Sequence, residues 1–276
     1  MGAYACARGG IMFTKKEIFR QLEAMGARRD GIVLMHTALR LVGEVEGGAK
    51  GLLDALIEYF TGDGGLFCLP THTGRNYGKP VMLDMSSSES HLGAFPIIAT
   101  EDGRGMRTVN PSHSMVIFGD RDRALEFAKN EDKVDSPTAP DSCYGRLLEC
   151  DGQILLVGVG QAKNTYIHSV EEMLNVEHRM TKELEPFTVR LASGELVEHK
   201  MRWFDESMYG DVSLRFSKFE IPFRYHRIIK DGFIGAAPAQ LCTARDVYRV
   251  LKMIYENPDG RDPLADEKPV PPKWYV

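Results

Sequence analysis

Apolar residues recur along this chain at two periods, and each period marks a different kind of element. Leu52, Leu53, Leu56, Ile57 and Phe60 repeat at three- and four-residue steps, the spacing of one face of an amphipathic helix. Val247, Val250, Leu251 and Ile254 repeat in the same way within 243–256. Short continuous apolar runs at 32–35, 66–69 and 154–159 predict strands covered on both faces. Residues 31–70 therefore read strand, loop, helix, strand, a parallel pair joined by a crossover helix. A further strand is expected at 114–118, and helices at 92–100 and 121–130. Thr14-Lys15-Lys16-Glu17 has the form of a capping box opening a helix to about Met25, with Gly26 to end it. The polar stretch 71–90 holds Gly74, Gly78, Pro80 and four serines. It is too long for a plain connection and predicts a functional or mobile loop. Residues 132–142 read as a surface loop.

Beyond Glu172 the period shortens. Segments 187–191 and 196–203 alternate around Ala192-Ser193-Gly194-Glu195, a hairpin signal. Strand-like pieces follow at 219–225 and 227–234, and the proline-rich tail from Asn257 is expected to be irregular. The whole predicts an α/β fold: a mixed, largely parallel central sheet with flanking helices and an antiparallel β-rich C-terminal portion. No linker divides it. A single domain is expected over 12–262, with a core at 12–180, a β-rich portion at 181–262, and irregular termini at 1–11 and 263–276.

The chain has 276 residues, 43% hydrophobic and 26% charged, with a formal net charge of −5. Nothing in that balance favours nucleic acid, and a mild acidity suits an amine-bearing partner. The five cysteines are scattered, odd in number and without a CxxC. That argues against a disulfide framework or a zinc finger and fits a reducing, cytoplasmic setting. No apolar run reaches membrane length, and the first eleven residues lack the apolar core of a signal peptide. Met1-Gly2 begins like a myristoylation signal, but Cys6 stands where Ser or Thr is needed. No membrane partner is expected.

The densest chemistry lies in 158–172, GVGQAKNTYIHSVEE. If residues from Thr165 onward are helical, His168 shares a face with Glu171 or Glu172. A histidine held by a carboxylate is the usual general base at neutral pH; alone, the same pattern also fits an ordinary surface ion pair. His36, His72 and His113 fall at strand ends, either as satisfied core histidines or as cleft residues. Thr71 and His72 end a strand on the edge where open α/β sheets bind ligands. Arg40, Arg104 and Arg107 are solvated surface groups or phosphate contacts. Cys68 and Cys143 are core residues or, less in keeping with the apolar surroundings of Cys68, acyl carriers. The chain has no GxxxxGK[ST], no GxGxxG and no HExxH, so neither a nucleotide fingerprint nor a metal site is indicated.

Four stretches in register resemble the aminoglycoside 3-N-acetyltransferase (antibiotic N-acetyltransferase) family. They are Leu34-Met35-His36-Thr37-Ala38-Leu39-Arg40 followed by Gly43 and Gly47-Gly48; Gly64-Gly65 through Pro70-Thr71-His72-Thr73; Asn110-Pro111-Ser112-His113-Ser114; and Gly158-Val159-Gly160 through Asn164-Thr165-Tyr166-Ile167-His168-Ser169-Val170-Glu171. The likeness covers roughly 14–180, the C-terminal third matching only loosely. Thr37 and Ala38 stand where the family has paired serines. The resemblance implies acetyl transfer from acetyl-CoA to an amino group of an aminoglycoside or similar small molecule, and the apolar setting of Cys68 makes direct transfer, without an acyl-enzyme, the expectation. It implies His168 as base with Glu171, rather than Glu172, as its orienting acid. It places the coenzyme on His36, Thr37, Ala38, Leu39, Arg40, Gly43, Thr71, Ser112 and His113, and the acceptor on His72, Thr73 and Glu172. It implies no metal and allows a homodimer. A hydrolase using the same cleft, or a non-catalytic coenzyme A or small-molecule binder, are the other functions the sequence permits.

Overall fold

The capping box forms as its residue types require. In the computed structural model, which describes residues 12–73 and 82–276, the Thr14 hydroxyl accepts from the Glu17 amide and the Glu17 carboxylate accepts from the Thr14 amide. The readings placed on Met1-Gly2, Cys6, Gly74, Gly78, Pro80 and the irregular stretch 1–11 lie outside the described residues.

The described strands are β1 Met12–Phe13, β2 Ile32–Thr37, β3 Glu44–Val45, β4 Leu66–Pro70, β5 Met82–Asp84, β6 Met106–Arg107, β7 Met115–Phe118, β8 Gln153–Val157, β9 Glu185–Arg190, β10 Leu196–Met201, β11 Lys230–Ile234 and β12 Ala237–Thr243. The α-helices are α1 Lys15–Ala24, α2 Leu39–Val42, α3 Gly48–Thr61, α4 Ala94–Glu101, α5 Arg121–Phe127, α6 Tyr166–Met173, α7 Glu220–Tyr225 and α8 Ala244–Tyr255. The main sheet runs β11-β12-β8-β2-β4-β7-β6. Parallel pairing is confined to its centre, where β2 lies between β4 and β8; the flanking pairs are antiparallel. The sheet is therefore mixed, as expected, but parallel only in its three middle strands. A small sheet, β10-β9-β5, contains the expected hairpin.

Side chains alternate across the sheet. Leu34, Cys68, Ile117, Ile154 and Leu156 face a layer that includes Ile167 and Val170 of α6 and Val247, Val250 and Leu251 of α8. Val33, Met35, Phe67, Leu69 and Leu155 face the opposite layer, built on Ile18 and Leu22 of α1, Leu52, Leu56 and Phe60 of α3 and Phe95 of α4.

Several segments depart from the sequence reading. Strand β5 lies within 71–90, read as a loop, and 132–142, read as a surface loop, buries Val134, Ser136, Thr138, Ala139 and Ser142. The piece at 219–225 is helical, not a strand. Phe216, Phe219 and Phe223 fall on one buried stripe, and Pro222 sits in the first turn of α7, where its missing N–H costs nothing. The strand β12 has no counterpart in the sequence reading, because Ala237, Pro238, Ala239 and Gln240 carry little β-propensity; pairing with both β8 and β11 forms it. The tail beyond Asn257 has little regular structure, yet Leu264, Val270, Trp274 and Tyr275 are buried against the α8 layer. The Trp274 indole donates to Asp259 Oδ2 at 2.9 Å.

Gly65 closes the turn from α3 into β4 under close contact. A Cβ there would lie 2.2 Å from the Phe60 carbonyl oxygen and 2.4 Å from that of Arg29. Gly65→Ala should lower the urea midpoint by an amount equivalent to about 1–3 kcal/mol or more. Gly31→Ala, where φ is not positive and a Cβ would meet nothing nearer than 3.7 Å, should cost less; equal midpoints for the two variants would refute this account of the turn.

Glu131 is buried, and its carboxylate accepts from the Cys143 amide. Burial pushes its carboxyl up to about 7, against the partial compensation of donors from Cys143, Asn110 and Thr108. A carboxyl whose folded pKa exceeds its unfolded value near 4.5 keeps its proton in the native state while the unfolded chain loses it. Stability from this group is thus full below about pH 4.5 and is lost as pH rises to about 7, by roughly 3 kcal/mol. Glu131→Gln should gain on the wild type in melting temperature across that window and hold a constant lead above it. Parallel pH–melting curves would contradict the assignment.

Candidate active site

The three parallel strands end on one edge of the sheet, and there a cleft of about 450 Å³ opens. Ligand sites of open α/β sheets form at such carboxyl ends, because the chain must leave the sheet there in loops that diverge. His36 and Thr37 come from the end of β2, His72 from just beyond β4, His113 from just before β7, and His168 from the first turn of α6. Across the cleft lie Trp203, Phe204 and Phe216.

Gly158 makes the approach to α6 possible. It leaves β8 at φ +66°, and a Cβ there would stand 3.1 Å from Leu41 and 3.3 Å from Ala38. In α6, Tyr166, Ile167, Ser169, Val170 and Glu171 are buried, and His168 is the residue among them that opens on the cleft. Its ring lies against Phe204 and Phe216, with centroids 4.4 and 4.7 Å away. His168 Nδ1 is 3.5 Å from Glu171 Oε2.

Glu171 has no exposed surface. Its other oxygen, Oε1, accepts from Arg179 Nε and from the Tyr255 hydroxyl, each at 2.5 Å. Arg179 in turn reaches Asp262 at 2.8 Å. Burial alone would raise the Glu171 pKa. The Arg179 guanidinium, His168 and the Tyr255 donor outweigh burial and hold it below the usual carboxylate range. The carboxylate is therefore ionised and its Oε2 is left to the imidazole.

The imidazoles of His36, His72 and His113 are kept neutral. Burial, aided by Lys163, pushes His36 down to about 4; burial and the neighbouring His168 and His36 push His113 down to about 3. His72 is also driven well down, by burial first. Its Nε2 shares a 2.7 Å hydrogen bond with the Tyr144 hydroxyl, and its ring centroid is 4.0 Å from that of His113. His36 Nε2 and Thr37 Oγ1 have no hydrogen-bond partner among the described residues. Asp205, Glu206 and Asp211 give the outer wall acidic character.

Of the residues singled out from sequence, His36, Thr37, His72, His113 and His168 meet at the cleft. Glu171 stands directly behind His168. Thr71 is fully buried and paired with the Ser114 hydroxyl at 2.9 Å, so it braces the end of β4 rather than lining the cavity. Ser112 holds His113 Nδ1 at 3.0 Å, and Thr73 donates to the Pro111 carbonyl oxygen at 3.0 Å. Glu172 turns away and accepts from Ser136 and Thr138. Ala38, Leu39, Arg40 and Gly43 lie outside the cleft wall; the Ala38 amide donates to Val157, and Leu39 and Gly43 line a separate apolar groove with Met12 and Leu52. Arg104 is tied to Asp102 and Asp54, and Arg107 to backbone oxygens including that of Thr71. Cys68 and Cys143 are fully buried, with thiols pushed up by burial, and neither lines the cleft. Among the described residues, no three His, Cys, Asp or Glu side chains are grouped as a metal site would need, and no helix is long and apolar enough to cross a membrane.

Sequence reasoning missed Arg179, Tyr255 and Asp262. They are separated from Glu171 by turns, including Asn175 and His178 at positive φ, and by most of the C-terminal third, so no periodicity links them. Phe204 and the acidic wall had a signal, Trp203-Phe204-Asp205-Glu206 just past the hairpin, but alternation alone assigns its first residue to the close of a strand and the rest to a connection.

Comparison with known proteins gives concordant results. The family model described as aminoglycoside 3-N-acetyltransferase matches residues 34–256. Aminoglycoside N(3)-acetyltransferase IV of Salmonella sp is 28% identical over 251 residues, covering 91% of this chain and 88% of that protein. Aminoglycoside N(3)-acetyltransferase VIII of Streptomyces fradiae is 26% identical, covering 88% and 91%. Among solved structures, a variant of aminoglycoside acetyltransferase AAC(3)-IVa in complex with a gentamicin superposes with a TM-score of 0.74 at 25% identity, covering 92% of this chain and 94% of that one. AAC-IIIb in a binary complex with CoASH superposes with a TM-score of 0.75 at 20% identity, covering 87% and 94%.

Proposed function

The chain belongs to the aminoglycoside 3-N-acetyltransferase family, and from that premise we propose that its cleft transfers acetyl from acetyl-CoA to an amino group of an aminoglycoside or similar amine-bearing small molecule. The observation that carries the assignment of roles is the His168–Glu171 pair, an imidazole opening on the cleft and backed by a buried, ionised carboxylate. Relatives of the same fold are seen with coenzyme A and with gentamicin, which supports this reading.

An amine arrives as an ammonium and cannot attack until it loses a proton. The acidic wall of Asp205, Glu206 and Asp211 favours its approach. Glu171 Oε2, 3.5 Å from Nδ1 and without a hydrogen-bond partner among the described residues, favours the tautomer that carries its proton on Nδ1 and leaves the Nε2 lone pair for the substrate. His168 takes a proton from the ammonium, and the freed nitrogen attacks the thioester carbonyl carbon. The C–S bond breaks, and the second N–H proton passes to the departing sulfur, giving the amide and free coenzyme A thiol. Glu171 stabilises the imidazolium formed on the way. His36 Nε2 and Thr37 Oγ1, without partners among the described residues, are the polar groups offered to the coenzyme arm, with His113 beside them. Transfer is direct, since the buried cysteines have neither access nor thiolate character.

His168→Ala should lower kcat by roughly 10²–10⁴-fold, read as free-thiol release with an aminoglycoside acceptor, while coenzyme A binding by calorimetry and the melting temperature stay near the wild type. Undiminished turnover in that folded variant would remove the base assignment.

A further inference from the structure

Resting on the reading of His168 as the base, we propose that Arg179, Asp262 and Tyr255 form a positioning network behind Glu171 that sets how strongly this carboxylate holds a proton on the base. The network has a definite geometry. Arg179 and Tyr255 occupy one oxygen of Glu171, so the carboxylate cannot rotate and Oε2 alone faces His168. Arg179 is itself shared with Asp262, whose Oδ1 also accepts from the Leu264 amide. The arrangement alternates in sign: imidazole, carboxylate, guanidinium, carboxylate.

Alternation has a chemical consequence. A carboxylate alone beside an imidazole favours the imidazolium, which is useless as a base. Arg179 cancels part of the Glu171 charge and so leaves the base free to accept. Asp262 draws Arg179 the other way and limits that cancellation. Tyr255 lowers the basicity of Glu171 by donating to it. Each member therefore moves the base's proton affinity in a direction set by its position in the chain of charges.

The other groups that face the imidazole do not supply this control. From its own helix, Glu172 is committed to Ser136 and Thr138. From the strand ends, His36, His72 and His113 are held neutral. Lys163 from the preceding loop, His91 from the segment before α4, and Asp205, Glu206 and Asp211 from the opposite wall line the open cleft, where water screens them. Arg179 also borders the cleft, but its side chain is buried, 3% exposed, so its charge is little screened.

Replacing Arg179 would strand a buried carboxylate and risks unfolding, so the test uses the two gentler positions. In pH profiles of kcat/KM for the full-length enzyme, Asp262→Asn should move the acid limb to lower pH and Tyr255→Phe should move it to higher pH, each by roughly half a unit. A merely structural role would reduce activity or melting temperature and leave both limbs where the wild type has them. Limbs that coincide with the wild type, or that move in the same direction, would overturn the proposal. The same experiment carried out on His168→Ala separates the two claims: an active His168→Ala enzyme removes the base itself, whereas an inactive one with unmoved limbs in the other variants removes only the network.

Discussion

Glu171 is an ionised group placed where water cannot reach it, and much of the molecule is arranged around that fact. Removing a carboxylate from water costs several kcal/mol, so it persists only with strong partners. Those partners come from different parts of the chain: Arg179 from the turn after α6, Tyr255 from the end of α8, and Asp262, through Arg179, from the C-terminal tail. Helix α8 contributes nothing to the cleft wall, yet one of its hydroxyls, that of Tyr255, is bound to the carboxylate behind His168. The irregular tail is fixed for the same reason, and its Trp274 and Tyr275 bury apolar surface while Asp262 completes the charge pairing.

The parts of the fold that the sequence revealed are those where local pattern and tertiary setting agree. The stripe of Leu52, Leu53, Leu56 and Phe60 forms α3, Thr14 and Glu17 cap α1, and the apolar runs at 32–35, 66–69 and 154–159 become the central parallel strands. Where the two disagree, tertiary pairing prevails. Ala237 and Ala239 form a strand because β8 and β11 leave a slot with unpaired backbone groups on either side. The aromatic spacing around Phe219 suits a helix as well as a strand when read in short pieces, and only its burial stripe decides.

The candidate site was legible to the extent that it is local. His168 and Glu171 lie within one helical turn, and His36, His72 and His113 sit at strand ends that topology brings to a common edge. The supporting shell was not legible, since Arg179, Tyr255 and Asp262 meet Glu171 only after the chain has folded. Residues whose types matched but whose places did not, such as Thr71, Thr73, Ser112 and Glu172, hold up the wall from behind. Short polar side chains at strand ends serve either purpose, and the direction of the side chain, invisible in sequence, separates them.

The cleft takes its walls from the central strands, from α6 and from the 203–216 segment. Any molecule seated there fastens the two halves of the chain like a clasp, and neither can come undone until it departs. Occupancy therefore feeds directly into endurance against heat and proteases, rising with the logarithm of ligand concentration over its dissociation constant. In the presence of a ligand that fits, this protein would persist longer than the same chain alone under the same conditions.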